Sequence, residues 1–329
     1  MGEGAWRVGL DRTTEIERIN TMEVGIIGLG RMGAGMSKRW LRGGHRVVGY
    51  NRSPGPVKEL EAVGGIGAYS MEALVDRLTA PRAIWIMLPA GEVTEQAIKA
   101  AAPLLAPGDT IVDGGNTNFH DDIRRAAELK PMGINYVDQG TSGGIWGLEV
   151  GFSLMVGGEP DVVRRLEPAF LTLAPENGYG HMGPVGAGHF VKMVHNGIEY
   201  GMMEAYAEGF AMMVAKQEFN LDLARVARVW NHGSVIRSWL LELAEEALKR
   251  DPTLSGIAPY VADSGEGRWS VKESVDLGIP APVITLALQM RFVSQQENPF
   301  AARLLAALRQ QFGGHPIKKV EPEAATSVE

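Results

Sequence analysis

With 329 residues, 45% of them hydrophobic and 22% charged, the chain is long enough for about two domains at roughly 150 residues each, with cores that need no covalent staples. Its 39 Asp and Glu outweigh 32 Lys and Arg, and the formal net charge of -7 excludes a general basic field for collecting nucleic acid or anionic lipid. Cysteine is absent, so disulfides, thiolate nucleophiles and Cys-ligated zinc or iron–sulfur sites are excluded as well.

Residues 1–21 carry charges but no apolar run of the secretory kind. They read as an extension, either disordered or upstream of a true start at Met22. The longest apolar stretches, such as Ala83 to Ala90, fall far short of the roughly 20 residues a membrane span needs, so a soluble, cytoplasmic protein with no membrane or nucleic-acid partner is expected. From Glu23 onward, EVGIIGLG reads as a strand ending in glycines and RMGAGMSKRWLRGG as a helix stopped by a Gly pair. RVVGYN, AIWIMLP and DTIVDGGN supply further strands, INYVDQG and FSLMVGG two short ones, and GEVTEQAIKAAAPLL the clearest intervening helix. Strands alternating with helices predict a parallel sheet covered on both faces.

The pattern changes near Pro184. Phe190 to Lys216 contains no Pro and reads as one long helix, followed by LARVARVWNHG, IRSWLLELAEEALKR, PAPVITLALQMRFVSQQ and FAARLLAALRQQF, with Pro and Gly at their joints. An α/β domain over 22–183, an all-helical domain over 184–316 and a flexible tail over 317–329 are therefore expected.

Gly28, Leu29, Gly30, Arg31, Met32 and Gly33 fit G-x-G-x-x-G between a strand and a helix. The first Gly allows the tight turn, the second lets a pyrophosphate approach the backbone, and the third permits close helix–strand packing. The fold class is thus an α/β Rossmann-like doubly wound domain followed by an all-α C-terminal domain. At the end of the second strand an acid would normally bind the ribose 2′-hydroxyl of NAD. Here Asn51, Arg52 and Ser53 stand instead: no carboxylate repels a 2′-phosphate and a guanidinium can pair with it. NADP is favoured over NAD.

In GHFVKMVHNGIEYG, Lys192, His195, Asn196 and Glu199 lie at i, i+3, i+4 and i+7, which stacks them on one helix face with Tyr200 beside them and places Val191, Val194 and Ile198 opposite. A solvated face is the bland reading of such a stripe. Its position at the domain junction, after Gly186 and Gly188, favours a reactive one. A partly desolvated lysine beside a cofactor has its pKa pushed down and becomes a base near neutral pH. Glu199 suits an acid, and His195 and Asn196 suit orienting donors, a set fitted to hydroxyl deprotonation coupled to hydride transfer.

These residues resemble the decarboxylating 6-phosphogluconate dehydrogenases, within the wider β-hydroxyacid dehydrogenase superfamily. The resemblance rests on GLGRMG, NRS, MLPAG, Asp113-Gly114-Gly115-Asn116, Thr141-Ser142-Gly143-Gly144, LMVGG, Lys192 through Tyr200, and Phe312-Gly313-Gly314-His315. DSGEGRW, Asp263 to Trp269, is similar to the short form, whose helical domain is not duplicated. The resemblance implies NADP-linked oxidation of 6-phosphogluconate at C3, loss of carbon dioxide and release of ribulose 5-phosphate, a pentose phosphate pathway step. It implies that Lys192 takes the 3-hydroxyl proton and, as an ammonium, polarises the 3-keto group, and that Glu199 protonates C1 of the enediol. Asn116, Ser142, Gly143 and Gly144 would hold the carboxylate end and hydroxyls, with His195 and Asn196 near the reacting carbons. Leu88, Pro89, Ala90 and Asn116 would border the cofactor. The phosphate would fall to Tyr200, Arg268, Arg291 and, from a partner subunit's tail, Arg309 and His315, within a homodimer or larger homo-oligomer. No metal is implied, because the β-keto acid is its own electron sink. Arg268 departs from the lysine of longer forms, and Ile145-Trp146-Gly147-Leu148 from their smaller, more acidic stretch. Two rival readings are another β-hydroxyacid dehydrogenase acting on a 3-hydroxyisobutyrate-like acid, and a non-catalytic NADP-binding sensor.

Overall fold

Val24, Ile26 and Ile27 send large apolar side chains to both faces of one short strand, so that strand must be covered on both sides. It is β1 (Glu23–Ile27), an interior strand of an eight-stranded sheet. The computed structural model describes residues 21–318; the expected N-terminal extension and C-terminal tail lie almost wholly outside the described residues. After β1 come α1 (Arg31–Arg42), β2 (Arg46–Tyr50), α2 (Pro54–Ala62), β3 (Ile66–Ala68), α3 (Met71–Asp76), β4 (Ala83–Ile86) and α4 (Glu92–Ala101). The chain continues through β5 (Thr110–Asp113), α5 (Phe119–Leu129), β6 (Asn135–Ser142), α6 (Gly147–Val150), β7 (Ser153–Gly157), α7 (Pro160–Leu173) and β8 (Tyr179–Gly183).

The strand order is β3-β2-β1-β4-β5-β6-β7-β8. The order reverses between β1 and β4, which opens a crevice at their C-terminal ends, the usual ligand position of a doubly wound sheet. One expectation is corrected: β7 runs antiparallel to β6. Residues 143–152 are the whole connection between them, shorter than the dozen or so residues a parallel crossover needs. The short strands β3 and β8 were not foreseen either; three residues of IGA and the polar YGHMG carry little strand signal.

The two faces of the sheet bury separate cores. Val24, Ile26, Trp40, Trp85 and Phe170 fill one, where Trp85 meets Trp40 and Phe170 edge-on at 5.0 and 5.8 Å. Ile27, Val48, Leu74, Ile84 and Ile86 fill the other.

The remaining helices are α8 (Ala187–Ala215), α9 (Leu223–Asn231), α10 (Trp239–Arg250), α11 (Glu266–Asp276), α12 (Pro282–Ser294) and α13 (Phe300–Gly313). Helix α10 starts later than IRSW suggested because the Ser238 hydroxyl accepts the Leu241 N–H at 3.1 Å and caps it there. Helix α11 was not foreseen: its sequence opens on glycines. Packing divides the chain into two units between Ile198 and Glu199, inside α8. In the second unit Tyr200, Ala287 and Leu288 form a small core. Among the described residues no helix is long and apolar enough to cross a membrane.

Candidate active site

In the first unit, the loops that follow β1, β4, β5 and β6 all emerge at the C-terminal edge of the sheet. Each glycine of the first loop has its own reason to lack a side chain. Gly28 has φ +99°, and a Cβ there would lie 2.4 Å from the Met87 carbonyl oxygen. A Cβ on Gly33 would lie 2.1 Å from the Gly28 oxygen, so α1 packs directly on the turn. At Gly30 a Cβ would meet nothing within 4 Å. The bare backbone at Gly30 is therefore open to approach from outside. Gly30 is also the N-cap of α1, with no side-chain cap and no acid in the first turn, which leaves the helix's first N–H groups facing that space.

A cleft of about 310 Å³ opens there between Leu29, Gly30 and Arg31 on one side and Gly144, Ile145 and Phe152 on the other. These features fit the pyrophosphate of a dinucleotide. Met32 is half-buried beside the loop, and Leu29 lies in the core. Asn51 braces the loop: its Oδ1 accepts the Leu29 N–H at 3.1 Å, and its Nδ2 donates to the Ser53 carbonyl at 3.1 Å. Arg52 and Ser53 are exposed just beyond β2, and no acidic side chain occupies the end of that strand. Leu88, Pro89 and Ala90 follow β4; the Leu88 carbonyl lies 2.5 Å from where a Cβ on Gly115 would stand, so the second and third loops touch.

Asn116 takes a left-handed conformation, φ +53°. Its amide grips β6 twice, accepting the Thr141 N–H at 2.8 Å and donating to the Thr141 carbonyl at 3.0 Å. It thus sets the Ser142-Gly143-Gly144 loop, in which Gly143 and Gly144 have φ of +120° and +51° and no L side chain would sit without strain.

Helix α8 passes behind that loop at very short range. A Cβ on Gly188 would lie 2.4 Å from the Met155 oxygen, and a Cβ on Gly140 would lie 2.4 Å from the Lys192 Cβ. Lys192 is consequently only 4% exposed. Its Nζ donates to Asn196 Oδ1 at 2.7 Å and lies 3.3 Å from His195 Nδ1, which is itself 2.8 Å from Asn196 Oδ1. An amide oxygen only accepts, so Lys192 and His195 Nδ1 both donate to it, leaving His195 Nε2 to accept from the Ser142 hydroxyl at 3.5 Å. The polar stripe is the buried side of this helix. Val194 and Ile198, expected to be its apolar side, are 36% and 53% exposed, because the Lys192 face is the one pressed on β6.

Sequence reasoning missed a polar cluster beneath these residues. Asp138, on β6, accepts the Gly186 and His189 N–H groups at 2.6 and 2.8 Å and so caps α8. His189 Nδ1 bonds Asp122 Oδ2 at 2.7 Å, and Thr117 and Tyr136 both donate to Asp113 and Asp122. Arg125 donates to Asp113 at 3.0 Å and to Glu95 at 2.9 Å. Burial pulls the His189 imidazole down, but Asp122, Asp113 and Asp138 overcome it and raise it to about 10. Burial likewise pushes Asp138 up to about 6 against the pull of His189. Asp113, Asp122 and His189 approach closely enough to hold a metal, yet Arg125, Thr117 and Tyr136 already compensate both carboxylates. The available signal was an acid inside an apolar strand and a histidine one turn before Lys192.

In the second unit, Glu199 is half-buried on α8 and Tyr200 is 6% exposed, its hydroxyl 2.9 Å from Ser264 Oγ. The Arg291 guanidinium lies over the Tyr200 ring at 3.5 Å and donates to the Ala262 carbonyl at 3.0 Å. Arg268 pairs with Asp263 and lies over Phe292 at 4.3 Å. Tyr200, Arg268 and Arg291 thus share one aromatic and cationic cluster. Arg309 and His315 lie on and just after α13, which is exposed at every position described. A wider groove of about 870 Å³ beside α9 and α10, lined by Met213, Leu221, Arg225 and Leu248, holds none of the predicted residues.

Comparison with known proteins agrees with this architecture. The profile of the NAD binding domain of 6-phosphogluconate dehydrogenase matches residues 23–183, and that of the 6-phosphogluconate dehydrogenase C-terminal domain matches residues 188–328. The NAD(+)-dependent, decarboxylating 6-phosphogluconate dehydrogenase of Haloferax volcanii is 43% identical over 91% of this chain and 99% of its own. The decarboxylating enzyme of Lactococcus lactis subsp. lactis is 34% identical over 90% of this chain but only 67% of its own. Plasmodium falciparum 6-phosphogluconate dehydrogenase, solved in its apo form and in complex with NADP+ and with 6-phosphogluconate, superposes with a TM-score of 0.76 at 28% identity, over 92% of this chain and 67% of that one. With both halves matched in order, and one relative aligned over nearly its whole length, the chain belongs to the 6-phosphogluconate dehydrogenase family of NAD(P)-binding oxidoreductases.

Proposed function

We propose that this chain oxidises 6-phosphogluconate at C3 and decarboxylates the product to ribulose 5-phosphate, with NADP as the hydride acceptor. The observation that carries the reading is Lys192: a primary amine, 4% exposed, held at 2.7 Å by Asn196 Oδ1 on a helix pressed against the strand that ends in Ser142-Gly143-Gly144. A bound NADP supplies the acceptor for hydride from C3. Lys192 takes the 3-hydroxyl proton as the C3–H bond breaks, then donates from its ammonium to the 3-keto oxygen, which stabilises the enolate left by departing carbon dioxide. Glu199 delivers a proton to C1 of that enediol. Asn116 sets the Ser142-Gly143-Gly144 loop that receives the carboxylate end, and His195 presents Nε2 toward the same loop.

The Tyr200, Arg268 and Arg291 cluster binds the 6-phosphate. Arg309 and His315 are added from the tail of a second subunit, a role supported by the exposure of α13 at every position described. Large apolar side chains at Met212, Val275 and Phe300, exposed by 75%, 74% and 69%, support a homo-oligomer. Arg52 and the missing acid beside it favour NADP. The name of the Haloferax relative favours the second reading, NAD. Turnover of 6-phosphogluconate by the purified protein, followed as nicotinamide reduction and carbon dioxide release with each cofactor in turn, tests the proposal. Tight NADP binding with no turnover of this substrate overturns it.

A further inference from the structure

Two carboxylates and one imidazole tie the first turn of α8 to β6 and to α5. Asp138 holds the helix from β6 through the N–H groups of Gly186 and His189. The His189 side chain, 0% exposed, reaches α5 through Asp122 at 2.7 Å and lies 3.3 Å from the Thr117 hydroxyl. Thr117 directly follows Asn116, and its hydroxyl bonds Asp113, whose other oxygen accepts the Gly115 N–H at 2.9 Å. His189 is therefore the side chain through which the Asn116 loop and the Lys192 helix are held in one hydrogen-bonded frame. Lys192 follows it by one turn on the same face.

We propose that His189 is a positioning residue for the oxidation step: through its Nδ1 contact with Asp122 it sets where the Lys192 amine stands relative to the Asn116 and Ser142 loops. The inference rests on the reading of Lys192 as the base. Only one ring nitrogen is used, since His189 Nε2 is buried without a hydrogen-bond partner among the described residues. An amide that supplies an N–H at the Nδ1 position thus replaces the whole function, whereas one that supplies it at the Nε2 position does not reach Asp122. Removing the link frees the helix end to shift by a fraction of an ångström to an ångström, and a displacement of that size lowers turnover by up to about 100-fold.

The test compares His189→Leu, His189→Asn and His189→Gln, with kcat expressed per NADP-binding site so that loss of folded protein does not register as loss of chemistry. Expected are a fall in kcat of roughly 30- to 100-fold for Leu and Gln with the KM for NADP unchanged, and recovery to within about threefold of the parent for Asn. Unchanged kcat per site in His189→Leu, or Asn performing no better than Gln, overturns the proposal. If the Leu variant does not fold, the Asn-to-Gln comparison decides alone. Lys192→Ala is measured in parallel: substantial turnover there removes the base assignment itself, an outcome distinct from any result at His189.

Discussion

Replacing Gly188 by alanine probes the join between helix and sheet on which the proposed chemistry depends. The new Cβ would stand 2.4 Å from the Met155 oxygen, 2.7 Å from the Gly157 nitrogen and 2.8 Å from the Asp138 oxygen. All three are backbone atoms of the paired strands β6 and β7 or of their ends, and none can rotate aside. Ordinary contact begins at 3.4 Å, so the helix must retreat by about 1 Å, the difference between 3.4 and 2.4. Lys192, four residues on, moves with it, and misplacement by 1 Å costs on the order of 100-fold in rate. Overpacking of this kind costs about 2 kcal/mol, a fall in Tm of roughly 4–8 °C for a domain of this size. Gly209, on the same helix with nothing within 4 Å of its would-be Cβ, is the control: Gly209→Ala should leave kcat unchanged and stabilise by about 0.5–1 kcal/mol. Nicotinamide reduction with 6-phosphogluconate, normalised to bound NADP, and calorimetric Tm measure both effects. A Gly188→Ala protein with kcat within threefold of the parent and an unaltered Tm would refute the close approach and the reasoning built on it.

Lys192→Ala should lower kcat by roughly a thousandfold while NADP affinity, measured by fluorescence titration, stays nearly the same; residual turnover near the parent rate removes Lys192 as the base. Arg52→Ala should raise the KM for NADP by about 10- to 100-fold, the loss of a charge-assisted contact, without moving that for NAD; equal losses for the two cofactors show that Arg52 does not read the 2′-phosphate. The pH dependence of stability carries a sign. His189, raised to about 10 in the folded chain from 6.5, contributes stability that is complete below pH 6.5 and lost as pH rises through 10. Asp138, at about 6, is already ionised above pH 7. The difference in urea unfolding free energy between the parent and His189→Asn should therefore shrink from pH 7 to pH 10, and a constant difference contradicts the charged assignment.

Local chemistry made the architecture and the candidate site residues readable. The glycine loop could be read because a tight turn and a close helix each exclude a Cβ, and Gly28 and Gly33 take those two roles in the folded chain as their spacing indicated, while Gly30 is left open for the proposed ligand. The stripe of Lys192, His195, Asn196 and Glu199 follows from helical periodicity alone, and α8 is unbroken across it. Which side of that helix is buried does not follow. Periodicity put Val191, Val194 and Ile198 opposite the stripe without saying which side packs inward; Gly140 and Gly188 bring the Lys192 face onto β6 at a distance that only the folded sheet defines.

From the sequence alone came the doubly wound domain, the helical second half and the family, because each is written in spacing between neighbours along the chain; the same spacing nominates the proposed reacting groups. Tertiary structure decided the reversed β7, whose short connection permits no crossover, and the double grip of Asn116 on Thr141. It also decided the buried frame of Asp113, Asp122, Asp138 and His189. Those four residues are separated by up to 76 positions, from Asp113 to His189, and become one electrostatic unit only when burial removes water and forces each charge to find its counterpart inside the protein.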